Sequence, residues 1–166
     1  MEIELVKVKE SEIPVLAALA DEIWHECFTD ILTSGQIDYM VDKFQSPSAF
    51  KEYFADKNYR YLFITYCGEI AGYTGIKIEK GRLFLSKLYV KGEFRRRGIA
   101  GECIAKLAEF CRKNNLSEIY LTVNRQNNRA ISAYVKNGFE ITSEQKTDIG
   151  CGYVMDDYVM MKKVAC

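Results

Sequence analysis

Histidine and tryptophan each occur once in this 166-residue chain and proline twice, and each scarcity excludes something. A single histidine, with no CxxC pair among the cysteines at 27, 67, 103, 111, 151 and 166, leaves no ligand set for zinc, so no metal is expected. Pro14 and Pro47 each stand where a helix would begin, the one helical position that tolerates a missing N–H. Without a proline-rich linker, a repeat or a low-complexity tract, residues 1–166 read as a single domain. No apolar run approaches the roughly 20 residues that cross a bilayer. Residues 2–9 alternate charged and apolar side chains and so lack the apolar core of a secretory signal. A cytoplasmic protein with reduced, mostly buried thiols is therefore expected. Excess charge is also missing: 23 basic residues balance 23 acidic ones. Nothing global draws the chain to nucleic acid or to an anionic membrane, and only local clusters could carry such a preference.

What is present reads as a mixed α/β chain. Residues 2–9 alternate like a strand. Ser11 then offers an N-cap to a helix whose apolar positions are Ile13, Leu16, Ala20, Ile23, Trp24 and Cys27. A second helix is expected over about 36–44 and a third after Ser46-Pro47. Residues 61–66 and 70–78 form a hairpin around Cys67-Gly68-Glu69, and 82–90 a further strand. A helix follows over about 98–113, a strand over 119–123, and a helix over 128–136 closed by Asn137-Gly138. Two last strands lie around 139–143 and 153–161.

The chemistry concentrates between Leu88 and Gly101. A strand runs through Leu88, Tyr89 and Val90 into a basic turn, Arg95-Arg96-Arg97, and then into a helix whose first turn holds Gly98, Ile99, Ala100 and Gly101. Small residues let a ligand approach the backbone, and a helix N-terminus offers unpaired N–H groups and partial positive charge. Arginines oppose the macrodipole there, so they serve stability poorly and an anion such as pyrophosphate well. The turn contains neither GxxxxGK[ST] nor GxGxxG.

Arg95-x-x-Gly98-x-Ala100 resembles the R/Q-x-x-G-x-G/A signature of the GCN5-related N-acetyltransferase (GNAT) superfamily. Asn127-Asn128-Arg129-Ala130-Ile131, followed by Tyr134 and Gly138-Phe139, is similar to the family's second motif. Scattered positions in the front half, among them Phe28-Thr29-Asp30 and residues 69–73, are similar to bacterial spermine/spermidine-type acetyltransferases. The resemblance implies a mixed, mostly antiparallel sheet with a splayed central strand pair and flanking helices. It implies acetyl-CoA as co-substrate: pantetheine along Leu88 and Val90, pyrophosphate on the backbone of 96–101, and Asn127 on the cofactor arm. Tyr134 would point at the sulfur, and a homodimer is compatible with the family.

Acetyl transfer needs a base, an oxyanion donor and an acid, because an alkylamine with a pKa of about 10.4 is protonated at neutral pH and the leaving group is a thiolate. Tyr134 is the expected acid, and the backbone N–H near Val90 is, by resemblance, the oxyanion donor. Relatives often carry a glutamate on the strand before the turn, but 82–90 contains no acid, and Ser86 stands near that place. The base stays open. Glu22, Glu26 and Asp30 recur every four residues and would share a helix face beside His25. They form either a solvated stripe or an acidic lip for a cationic amine. The leading expectation is N-acetylation of a small-molecule primary amine, for instance a polyamine. The alternatives are a protein or peptide acceptor, or a non-catalytic acyl-CoA sensor.

Overall fold

Alternation, caps and turns place most elements where the residues demand. In the computed structural model, which describes residues 2–164, the chain order is β1 (Ile3–Lys7), α1 (Ile13–Cys27), α2 (Ser34–Phe44), α3 (Pro47–Ala55), β2 (Tyr59–Tyr66), β3 (Glu69–Glu79), β4 (Arg82–Val90), α4 (Ile99–Lys113), β5 (Glu118–Asn124), α5 (Asn128–Lys136), β6 (Glu140–Gly150) and β7 (Tyr153–Lys163). The seven strands form one sheet in the order β1-β2-β3-β4-β5-β7-β6. It is mostly antiparallel, with one parallel pair, in which Arg82–Phe84 of β4 run beside Glu118–Tyr120 of β5.

Three expectations are corrected. Ser11 does not cap α1: it lies in a short 3-10 turn, Glu10–Glu12, because Pro14 sets the helix start at Ile13 and puts Glu12 at the cap position. Helix α2 begins earlier than expected, since the Thr33 hydroxyl accepts the Gln36 N–H at 3.1 Å. Strand β6 is far longer than residues 139–143. All of its residues except Ile149 are exposed, so no alternation marks it, and its length comes from pairing with β7.

The chain divides into two compact units. One holds residues up to Lys77 together with Lys87–Cys103, and its core is built from Val8, Ile13, Leu16, Ile23, Phe50 and Phe63. The other holds Ile78–Ser86 and the chain from Ile104 onward, and buries Leu83, Leu107, Ile119, Leu121, Phe139 and Met160. Each unit has a hairpin closed by Cys-Gly in left-handed backbone: Cys67 (φ +51°) with Gly68 (+85°), and Cys151 (+53°) with Gly152 (+78°). Such a pair of positive φ values matches the strand twist, although cysteine is an uncommon residue there. Cys67 and Cys151 are exposed, Cys103 and Cys111 are buried, Cys27 is intermediate, and all five are free thiols; Cys166 lies outside the described residues.

Candidate functional site

In the first unit, β4 leads into the basic turn through a close backbone approach. A Cβ on Gly72 would fall 2.1 Å from the Tyr89 carbonyl oxygen, so only glycine lets β3 lie this near β4 at the site end. The Lys91 N–H donates to the Ala71 carbonyl (2.8 Å), and the turn then tightens into a 3-10 segment, Gly92–Phe94, anchored by buried Phe94. Arg96 (φ +62°) and Gly98 (φ +75°) both take left-handed backbone before α4 begins. With Glu102 N–H bonded to the Gly98 carbonyl, the N–H groups of Gly98, Ile99, Ala100 and Gly101 precede the first i→i−4 bond of the helix and form a donor cluster at its start.

The three arginines have separate tasks. Arg95 Nε donates to the Val90 carbonyl (3.1 Å), while its Nη2 contacts Cys27 Sγ and lies 3.4 Å from Glu26 Oε1. Its guanidinium thus ties the turn to α1. Arg97 Nη2 donates to the Glu93 carbonyl (3.3 Å), and its guanidinium rests on the rings of Phe94 and Tyr66 at 5.6 and 5.7 Å. Arg96 is exposed and makes no ion pair among the described residues, which leaves it the side chain able to meet a phosphate.

The acidic stripe of α1 is divided by the structure. Glu26 reaches Arg95 and packs so closely on Gly92 that a Cβ there would meet its Oε1 at 2.1 Å. Glu22 lies 3.8 Å from Lys91. Asp30 falls beyond the last helical residue, Cys27, in the following turn, so it does not share the helix face. His25 sits apart from these acids, with Nε2 2.6 Å from Asp38 Oδ1 and Nδ1 2.9 Å from the Asp21 carbonyl. The hydrogen bond to Asp38, then that to Asp21, raises its pKa above the usual histidine value. Those contacts describe a link between α1 and α2.

Tyr89 turns its ring into an aromatic group with Trp24 (5.6 Å), Phe28 (6.1 Å) and Tyr73 (5.5 Å). On the same phase of β4 is Lys87, buried with its Nζ 4.3 Å from the Tyr53 ring centroid and within 6 Å of Tyr59 and Tyr61. Desolvation pulls its pKa down to about 7. The sequence carried a signal for this lysine: Leu83, Leu85 and Tyr89 alternate with it as the apolar phase of the strand.

In the second unit, Asn127 caps α5, its Oδ1 accepting the Ala130 N–H at 3.2 Å. That leaves its amide NH2 as the group available to a cofactor arm. Tyr134 is half-buried, edge-on to Phe139 at 5.5 Å, and its carbonyl accepts the N–H groups of Asn137 and Phe139, each at 3.0 Å. Gly138 (φ +92°) closes the helix, and Lys162 Nζ donates to the Asn137 carbonyl at 2.8 Å. Two consecutive aspartates in β7 then part company. Arg125 binds Asp156 through Nε (2.9 Å), whereas Asp157 is only 5% exposed, and desolvation followed by the field of Asp156 raises its pKa to about 6. Adjacent residues of a strand face opposite ways, which is why the two carboxylates meet different surroundings.

Comparison with known proteins bears on the fold and the family. The model of the acetyltransferase (GNAT) family matches residues 18–139. Spermidine N(1)-acetyltransferase of Thermoplasma acidophilum is 25% identical over 152 residues, spanning 89% of this chain and 94% of that protein. An uncharacterized N-acetyltransferase of Mycobacterium tuberculosis is 28% identical over 150 residues, 90% of this chain and 96% of its own length. Among solved structures, the PaiA N-acetyltransferase from Thermoplasma acidophilum in complex with coenzyme A superposes with a TM-score of 0.80 at 24% identity, covering 98% of this chain and 99% of that one. The ribosomal-protein-S18-alanine N-acetyltransferase of Escherichia coli superposes at 0.74 and 14% identity, covering 99% and 96%.

Proposed function

The chain belongs to the acetyltransferase (GNAT) family, as an acyltransferase that uses acetyl-CoA, and from that premise we propose that it acetylates the primary amine of a small molecule, with polyamines as the acceptor class. The observation that carries the polyamine reading is the near full-length similarity to a spermidine N(1)-acetyltransferase. A protein N-terminus is the rival acceptor, since an alanine N-acetyltransferase of a ribosomal protein shares the fold.

On this reading the donor cluster of residues 98–101 and the Arg96 guanidinium take the pyrophosphate, the backbone around Leu88 and Val90 holds the pantetheine amides, and the Asn127 amide supports the arm. The bound cofactor supplies the activated acetyl group. The Val90 N–H would donate to the thioester oxygen as negative charge develops there. Tyr134 gives its phenolic proton to the departing thiolate; a group with a pKa of about 10 can do so while staying protonated at neutral pH.

Two measurements test this. Acetyl-CoA is expected to raise the Tm of the purified protein, because a ligand bound by the native state alone stabilises it. Gly98→Glu places bulk and negative charge at the donor cluster and is expected to abolish the shift; an undiminished shift refutes the pyrophosphate assignment. A CoA-release assay with spermidine, spermine and an alanyl peptide then decides the acceptor class, and turnover confined to the peptide overturns the polyamine reading.

A further inference from the structure

Acceptor amines arrive protonated, so some group must take a proton before the nitrogen can attack. On β4 there is no carboxylate. On α1, Glu22 and Glu26 lie against Lys91 and Arg95, at 3.8 and 3.4 Å. Asp21 and Asp38 are engaged by His25, and Asp156 by Arg125.

Asp157 differs from all of these. It is 95% removed from solvent, yet it makes no hydrogen bond or ion pair among the described residues. It stands on β7 directly across from Asn124, the last residue of β5, and so beside the connection that delivers Asn127 and the Tyr134 helix. Its other cross-strand neighbour, on β6, is the uncharged Gln145. The charged groups near it on the paired elements are Arg125, Glu144, Lys146 and Asp156. Arg125 is held by Asp156 and Glu144, and after desolvation it is the field of Asp156 that pushes the Asp157 carboxyl upward. A carboxylate with so little exposure and no cation beside it is costly to keep charged.

We infer that Asp157 is the carboxylate that receives the acceptor ammonium and takes its proton, acting as the general base of the transfer. The inference rests on the acetyl-transfer reading above. Of the three protons on the incoming nitrogen, one passes to an Asp157 oxygen. The freed lone pair forms the C–N bond to the thioester carbonyl as the C–S bond breaks. A second proton replaces the one Tyr134 gives to the thiolate, and the third stays on the product amide. Protonated Asp157 then loses its proton to solvent as product leaves. A base poised near pH 6 is charged at neutral pH and still holds a proton well enough to share it in the transition state.

Three readouts test it, using spermidine and an alanyl peptide as acceptors. Asp157→Asn keeps the shape, removes the buried charge and is expected to remain folded, with an unchanged Tm shift on acetyl-CoA addition. Its kcat/KM for the acceptor should fall about 10²–10⁴-fold, the usual worth of a general base. In the wild type, kcat/KM should rise with pH through a limb near 6, a limb that Asp157→Asn lacks and Asp157→Glu retains at displaced pH. The deficit of Asp157→Asn should shrink for acceptors of lower amine pKa, which need less help in losing a proton. Wild-type activity in Asp157→Asn, or an acidic limb that survives it, overturns the inference. If Asp157→Asn does not fold, the wild-type and Asp157→Glu profiles decide alone: identical profiles refute the assignment. A lost acetyl-CoA Tm shift in wild type would instead strike the cofactor reading, leaving the two failures distinguishable.

Discussion

At the scale of single residues, Tyr134 and Lys87 ask opposite questions. Tyr134→Phe removes one oxygen and keeps the ring against Phe139, so folding and cofactor affinity should survive. If the phenol protonates the thiolate, kcat and kcat/KM should fall together by about 10²–10⁴-fold, because the interaction belongs to the transition state. Wild-type kcat, measured where chemistry limits turnover, would leave Tyr134 a packing residue. Lys87 is a matter of stability. Its amine titrates near 7 in the folded chain and near 10.5 unfolded. Between those values the unfolded chain holds the extra proton, so stability climbs as pH rises from about 7 to 10.5 and the full burial penalty applies below 7. Lys87→Met fills the same tyrosine-lined site without charge. It is expected to flatten the rise on the alkaline side in thermal melts. Stability of Lys87→Met that varies with pH as steeply as the wild type's would show that the amine titrates alike in the folded and unfolded chains.

At the scale of elements, the link from α1 to the turn deserves a direct perturbation. Glu26→Gln keeps the close packing on Gly92 but removes the charge facing Arg95. Partly exposed ion pairs are worth at most about 1 kcal/mol, so KM for acetyl-CoA should rise about two- to fivefold while KM for the amine stays put. The reverse pattern would restore the acidic-lip reading of the stripe. This region also marks how far the sequence could be read. Strand β4, α4 and α5 were legible nearly to the residue, because strand alternation, the glycine turn and the Asn127 and Gly138 ends are local signals. The sharing of labour among Arg95, Arg96 and Arg97 was not. Three identical side chains in a row carry no information about which one meets Glu26, which lies 69 positions away for Arg95. Asp30 was misplaced for a related reason: spacing of four continues past Cys27 in the sequence, but the helix does not. Asp157 and Lys87 broke the polarity of their strand faces, a signal present in the sequence and explained only by burial.

At the scale of the whole molecule, β6 ends the sheet with an exposed edge of 11 residues. An unpaired edge invites another chain, and Glu144, Lys146 and Asp148 place charge along it. Replacing these three by valine is expected to drive self-association, read as a concentration-dependent increase in sedimentation coefficient, with activity per chain unchanged at low concentration. A variant that stays as dispersed as the wild type would show that charge is not what protects the edge. The two Cys-Gly hairpins carry a different consequence. Each compact unit ends a hairpin on an exposed thiol, while Cys103 and Cys111 are buried and Cys27 is held against Arg95. With Cys166 replaced by serine, a donor and an acceptor dye on maleimide linkers would settle on Cys67 and Cys151. The protein thus comes equipped with its own optical ruler, one end in each unit, able to report in real time whether cofactor or acceptor changes the distance between them.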